Sequence, residues 1–76
     1  MFTTISIDPD IMSGTPVFAG TRVPIKNLFD NIESGSSIEA FLRSYPTVTR
    51  EQVISLLEYS RRLVLSSKFE SHEVAA

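Results

Sequence analysis

The 76-residue sequence lacks cysteine and tryptophan and holds only three glycines. Without cysteine the chain has no disulfide, no thiolate metal ligand and no thiol nucleophile, which favours a cytoplasmic protein. A domain this small buries only about 60% of the surface that its unfolded chain exposes. We therefore expect one small core, supported by a partner or by further copies of the chain in a homodimer or higher homo-oligomer.

Long apolar runs and an excess of positive charge are also missing. No stretch approaches the roughly 18 apolar residues of a membrane span, and the first residues lack a signal-peptide pattern, so no membrane contact is expected. Seven basic and nine acidic residues give a formal net charge of -2. This charge excludes a polycation that coats nucleic acid, so any nucleic-acid contact must be local.

Residues that usually carry catalysis are sparse. The single histidine, His72, lies in a polar tail, so no serine or threonine has an imidazole base held by packed structure. Asp8 and Asp10 could share a cation, but Pro9 separates them and no further ligand is near, which favours a turn. The glycines between Gly14 and Arg22 lack P-loop spacing. The sequence thus predicts no enzyme, no metal and no cofactor.

Residues 3–23 predict a strand and a hairpin. Residues 3–7 alternate apolar and polar side chains, as a half-buried strand does. Residues 16–18 and 21–23 flank Ala19-Gly20, which predicts a small hairpin with Gly20 at positive φ. The residues that we expect to fix this region and its borders are Gly14, Pro16, Gly20, Thr21, Arg22, Pro24 and Gly35.

The rest of the domain predicts three helices. From Pro24 to Ile32, apolar residues recur at helical spacing, and Gly35 ends this first helix. We expect Phe29 and Phe41 to anchor the core.

The second and third helices have serine and threonine caps. Ser36 or Ser37 can cap the second helix, with capping-box spacing between Ser36 and Glu39, and a Tyr-Pro pair ends it. Thr49 and Gln52 have the same spacing at the start of the third and longest helix.

The predicted fold is therefore mainly α. A small N-terminal β-strand and hairpin precede a three-helix, winged or helix-turn-helix-like bundle. We expect one domain over residues 1–66, with the helices in 24–66, and a polar, flexible tail at 67–76.

The second and third helices, separated by a turn, have the layout of a helix-turn-helix. The first turn of the later helix would enter the major groove, where Arg50 could contact guanine and Gln52 adenine. Arg43, Thr47 and Thr49 could contact phosphates. Alternatively, these side chains form the solvated first turn of an ordinary helical domain.

Arg22 lies between apolar residues and a helix start. A guanidinium there most often pairs with a carboxylate, here Asp8 or Asp10, or with loop carbonyls. The alternative is contact with a partner.

A basic and apolar segment ends the third helix, where Arg61, Arg62 and Lys68 alternate with apolar residues. Cations at this end suit the helix dipole. Alternatively, the apolar residues exceed what a three-helix core needs and mark a surface that another chain buries.

Several short motifs together carry a family resemblance. They are Ile7-Asp8-Pro9, Gly14-Thr15-Pro16-Val17, Gly20-Thr21-Arg22-Val23-Pro24, Gly35-x-Ser37-x-Glu39, Tyr45-Pro46 and Thr49-x-x-Gln52-Val53. With these motifs the chain resembles the domain-of-unknown-function family numbered four hundred and thirty-three, which comprises small prokaryotic helix-turn-helix proteins. The resemblance covers about residues 3–59. The chain departs from the commoner family form at Ser13-Gly14, where a Gly-Gly pair is usual.

The resemblance implies the antitoxin of a type II toxin-antitoxin pair. Members are often encoded beside a PIN-like ribonuclease toxin, which the antitoxin binds and silences, while its dimer represses the operon. On that basis Arg61, Arg62 and Lys68 are candidates for reaching the acidic metal site of the toxin, because a cation could displace Mg²⁺ from its carboxylates. Two alternatives are a stand-alone dimeric helix-turn-helix transcriptional regulator and a general protein-interaction module.

Overall fold

The computed structural model describes residues 4–66, and within them the fold is mainly helical, as predicted. A two-stranded antiparallel sheet precedes the helices, with β1 at Ile5–Ser6 and β2 at Val17–Phe18. Three helices follow: α1 at Ile25–Glu33, α2 at Ile38–Ser44 and α3 at Arg50–Ser66. The predicted flexible tail lies outside the described residues. Within residues 4–66, no helix is long and apolar enough to cross a membrane.

The strand β2 has a different main partner from the one that the sequence predicts. It pairs with β1, and Ile5 lies opposite Phe18. The predicted second hairpin strand, residues 21–23, does not form, and a single bridge joins Val17 to Pro24 on that side. Two backbone hydrogen bonds flank this bridge, from the Phe18 N–H to the Val23 carbonyl at 3.0 Å and from the Ile25 N–H to the Pro16 carbonyl at 2.9 Å. The pairing stops there because the Val23 N–H donates to the Thr21 hydroxyl and α1 begins at Ile25.

The predicted turn at Ala19-Gly20 is present. The Thr21 N–H donates to the carbonyl of Phe18 at 3.0 Å, and Gly20 has the predicted positive φ, 78°. The Thr21 hydroxyl also donates to the Phe18 carbonyl at 2.8 Å and accepts from the Val23 N–H at 3.0 Å. Thr21 thus closes the turn with both its backbone and its side chain.

A left-handed turn connects β1 to β2. Met12, Ser13 and Gly14 have φ values of 51°, 56° and 84°. Just before it, the Asp8 carboxylate accepts the N–H of Asp10 at 2.8 Å, which confirms the turn predicted for this pair. The positive φ of Ser13 is an angle that glycine adopts without the strain that a side chain adds.

The helix borders follow the predicted caps with one change. Gly35, at φ 95°, lies just beyond α1. Ser37 caps α2, and its hydroxyl accepts the N–H of Ala40 at 3.0 Å. The alternative capping box from Ser36 to Glu39 does not form, since Ser37 occupies the cap position and the Glu39 carboxylate pairs elsewhere.

The core lies where β2 packs against all three helices. Its buried members are Phe18, Ile25, Leu28, Phe41, Val48, Val53 and Leu56. The rings of Phe18 and Phe41 lie 6.0 Å apart between centroids, in a tilted arrangement typical of aromatic pairs. Phe41 is thus confirmed as an anchor. Phe29 is only partly buried, and Phe18 is the second fully buried aromatic residue.

Removing either buried ring should remove a large part of the stability. We expect Phe18→Ala and Phe41→Ala each to lower the free energy of unfolding by about 3–5 kcal/mol, because each leaves a cavity in the core. Phe29→Ala is the matched control and should cost clearly less, since its ring is partly exposed. Urea denaturation followed by circular dichroism measures all three, and an equal loss for Phe29→Ala would contradict the assignment.

Relieving the left-handed turn should stabilise the protein. We expect Ser13→Gly to raise the free energy of unfolding by about 0.5–1 kcal/mol. The change removes backbone strain from the folded state, and this gain exceeds the cost of the greater freedom of glycine in the unfolded chain. Ser44→Gly, at the end of α2, should lower it, since glycine disfavours helix. Thermal unfolding of both variants checks the opposite signs, and a loss of stability in Ser13→Gly would contradict the strain.

Candidate functional site

The first turn of α3 is fixed by a reciprocal capping box. The Thr49 hydroxyl accepts the N–H of Gln52 at 3.1 Å, and the Gln52 carboxamide oxygen accepts the N–H of Thr49 at 3.0 Å. This pair matches the predicted spacing and satisfies two backbone donors that a helix start otherwise leaves unpaired.

The nitrogen of the Gln52 carboxamide binds the turn at residues 19–22, which we call the hairpin turn. It donates to the carbonyl of Ala19 at 2.9 Å, and this contact joins residues 33 positions apart in the chain. Both ends of the side chain that we predicted to contact adenine are therefore used within the fold. An adenine contact by Gln52 would require these hydrogen bonds to break.

Arg50 is also engaged. Its guanidinium lies 2.6 Å from the carboxylate of Glu39 on α2, and both side chains are exposed. The hydrogen bond from Arg50 is the main cause that holds the pKa of Glu39 below its ordinary value, and the charge of Arg43 adds to it. A guanine contact by Arg50 would compete with this exposed ion pair, which costs little to break.

The remaining predicted DNA contacts lie around the same helix start. Arg43 is in the last turn of α2, Thr47 is in the connection between α2 and α3, and both are exposed. Thr49 is exposed as well, although its hydroxyl serves the capping box. The structure therefore brings these groups to one region of the surface.

Arg22 does not form the structural pair that we expected. Its side chain is exposed and makes no ion pair with Asp8, Asp10 or any other carboxylate of residues 4–66. The carboxylate of Asp8 accepts a backbone N–H instead, and Thr21 supplies the polar contacts of the turn. Arg22 is therefore available to a partner.

The second half of α3 leaves the core. Val53 and Leu56 are buried, whereas every residue from 61 to 66 is exposed. Leu63, Val64 and Leu65 expose 50%, 55% and 67% of their surface, so three consecutive large apolar side chains are exposed here. We call residues 61–66 the α3 end.

Two of the predicted toxin-binding residues belong to the α3 end. Arg61 lies 3.9 Å from Glu58, a long and exposed ion pair, and Arg62 makes no ion pair within the described residues. Lys68 lies outside the described residues, as does His72. No group of three or more acidic or histidine residues in residues 4–66 could hold a metal ion.

Sequence reasoning missed the parts that Ala19 and Glu39 play at this site. Each forms its contact with α3 from a different element of the fold, so no local spacing connects the partners.

Comparison with known proteins places the chain in a family. The family model described as a protein of unknown function, DUF433, matches residues 5–60. The chain belongs to this family. The DUF433 match includes β1, β2, α1, α2 and most of α3, and it stops at the boundary of the α3 end. The α3 end thus lies outside the residues that the family model matches.

A curated relative gives no information on activity. The uncharacterized protein y4eO of Sinorhizobium fredii (strain NBRC 101917 / NGR234) is 37% identical over 49 residues, which cover 64% of this chain. The matched part is 22% of y4eO, so the chain spans about a fifth of that relative's length. No solved structure matches the chain.

The Glu39–Arg50 pair predicts a pH dependence. Because folding lowers the pKa of Glu39, the stability that the pair adds is present above the ordinary value of 4.5 and is lost as the pH falls through the lowered pKa. The free-energy difference between the wild type and Glu39→Gln should therefore shrink as the pH falls from about 6 to about 3.

Unfolding in urea at several pH values measures this difference. Glu33→Gln is the matched control, because it removes the same charge from an exposed position outside any first helical turn, with no ion pair within residues 4–66. The same pH dependence in both variants would contradict a specific role of the pair.

Proposed function

We propose that the protein is the antitoxin of a type II toxin-antitoxin pair and that it neutralises a PIN-like ribonuclease toxin in the cytoplasm. The supporting observation is the α3 end, a helical segment with exposed apolar side chains and two arginines, placed just outside the family match. The family resemblance supplies the kind of partner, and the exposed segment supplies a surface for it.

The composition of the α3 end suits a protein partner. Val64 and Leu65 offer apolar groups that a partner can bury, and arginine is enriched at protein interfaces. A soluble monomer gains nothing from exposing such side chains on a helix, whereas burying them in a complex is favourable.

The charge of the α3 end suits an acidic partner. The chain as a whole carries a net charge of -2, yet Arg61 and Arg62 are adjacent and only Glu58 lies close to them within the described residues. In our proposal these guanidinium groups pair with the carboxylates that hold Mg²⁺ in the toxin, and Lys68 extends the same basic segment.

The proposal includes repression of the operon by a homodimer or a higher homo-oligomer. Two exposed groups just before α3, Arg43 in the last turn of α2 and Thr47 in the connection, support DNA contact. With a net charge of -2 per chain, this binding should be weak and sensitive to salt. A stand-alone transcriptional regulator is the second candidate, since the same exposed groups would serve it without a toxin.

Co-expression with the PIN-like protein of the adjacent gene tests the antitoxin role. The wild type should restore growth and co-purify with the toxin. The double variant Val64→Asp with Leu65→Asp should lose both properties and bind at least about tenfold more weakly, because each change places a charge in the interface. Its thermal unfolding should match that of the wild type, since both positions are exposed.

Ile54→Asp is the matched control. Ile54 is an exposed apolar residue on the same helix, but it lies inside the family match and outside the α3 end. It should leave rescue and co-purification intact. Rescue by the double variant, or failure of the wild type to rescue a toxic neighbour, would contradict the proposal and favour the regulator or a general protein-interaction module.

A further inference from the structure

We propose that the hairpin turn, residues 19–22, is a second DNA-contacting element in which Arg22 binds a backbone phosphate and Gln52 positions the turn. This inference rests on the DNA-binding part of the proposed function. It replaces the predicted adenine contact of Gln52 with a positioning role, in which Gln52 holds the turn that carries Arg22.

The turn is held against the start of α3 from two sides. On one side, the Gln52 nitrogen donates to the Ala19 carbonyl at 2.9 Å. On the other, the Ala19 N–H donates to the carbonyl of Thr4 at 2.7 Å, and the Thr4 hydroxyl donates to Ser55 of α3 at 2.9 Å. The hairpin turn and the first turns of α3 are therefore held together by hydrogen bonds, one direct and one through Thr4.

The backbone around Arg22 is fixed, while its side chain is free. Thr21 bonds to Phe18 through both its N–H and its hydroxyl, and the N–H of Phe18 donates to the carbonyl of Val23 at 3.0 Å. Phe18 itself is fully buried in the core. A charged side chain on a rigid turn loses less entropy on binding than one on a mobile loop.

The distribution of ion pairs singles out Arg22 and Arg43. Of the six cationic side chains in residues 4–66, Lys26, Arg50 and Arg61 each lie within 4 Å of a carboxylate. The other three are Arg22, Arg43 and Arg62, and Arg62 belongs to the α3 end. Arg22 and Arg43 thus have no carboxylate of residues 4–66 within 4 Å, although the charge of Arg43 acts on Glu39 at longer range.

Arg22 and Arg43 belong to two elements that contact opposite sides of the first turn of α3. Gln52 faces the hairpin turn that carries Arg22, while Arg50 faces α2, which carries Arg43. Two positions along a helix correspond to a rotation of about 200°, so the two contacts leave α3 in nearly opposite directions.

This arrangement fits duplex DNA better than a single acidic segment. A helix that enters the major groove lies between two phosphate backbones, one on each side of the groove. A cation on each side of the helix start can therefore contact each strand. An acidic peptide would present its charges along one line and would leave one of the two arginines without a partner.

Fluorescence anisotropy with a labelled random duplex of about 30 base pairs tests the inference, with titrations from about 50 to about 200 mM salt. If Arg22 binds a phosphate, Arg22→Ala should make the negative slope of log K against log salt shallower by about 0.9 and weaken binding to all sequences alike. Arg62→Ala is the matched control. It removes the same charge from an exposed, unpaired arginine at the α3 end and should leave the slope unchanged.

A double-mutant cycle tests the positioning role of Gln52. If Gln52 acts through Arg22, then Arg22→Ala should have a smaller effect in a Gln52→Ala background than in the wild type. Thermal unfolding establishes that both variants are folded, and the comparison of Arg22→Ala with Arg62→Ala stands even if Gln52→Ala does not fold.

The outcomes separate this inference from the proposed function. Equal salt slopes for Arg22→Ala and Arg62→Ala, with a wild type that binds duplex DNA, would overturn the inference alone. A wild type that fails to bind duplex at about 50 mM salt, or that prefers single-stranded RNA, would overturn the DNA-binding part as well. Toxin neutralisation in the co-expression assay is independent of all these results.

Discussion

The side chain of Gln52 joins the start of α3 to the turn that follows β2, 33 positions earlier in the chain. Its oxygen completes the cap of α3, and its nitrogen holds the turn that follows β2. Strands as short as β1 and β2 cannot form a stable sheet alone. They persist because Phe18 enters the core and because α3 holds the turn beside it. This one carboxamide therefore fixes the position of the hairpin turn relative to α3.

The sequence was informative wherever local chemistry decides the structure. The positive φ of Gly20, the end of α1 near Gly35 and the capping box of α3 follow from residue types at fixed spacing, and each prediction is confirmed. The helical stripes also predicted the mainly α fold. Such features need no knowledge of what packs against them.

The predictions were wrong or incomplete where tertiary contacts decide. The turn signal at Ala19-Gly20 predicted a hairpin strand for residues 21–23, but β2 pairs mainly with β1. Helical spacing could not show that Phe29 lies at the edge of the core while Phe18 lies inside it. The contacts of Arg50 with Glu39 and of Gln52 with Ala19 were not predicted, because these partners lie on other elements. The lack of an ion pair at Arg22 within residues 4–66 likewise depends on the folded arrangement.

The division of α3 into a buried and an exposed half has a consequence for its dynamics. The first half can open only when the core opens, so its amide protons should exchange with solvent as slowly as global unfolding allows. The α3 end lacks that restraint and can lose its helical hydrogen bonds in local opening events of low free energy. A partner that binds there would slow exchange at one end of a single helix and leave the other end unchanged. The helix is continuous in shape, and its change from partly buried to fully exposed falls where the family match stops.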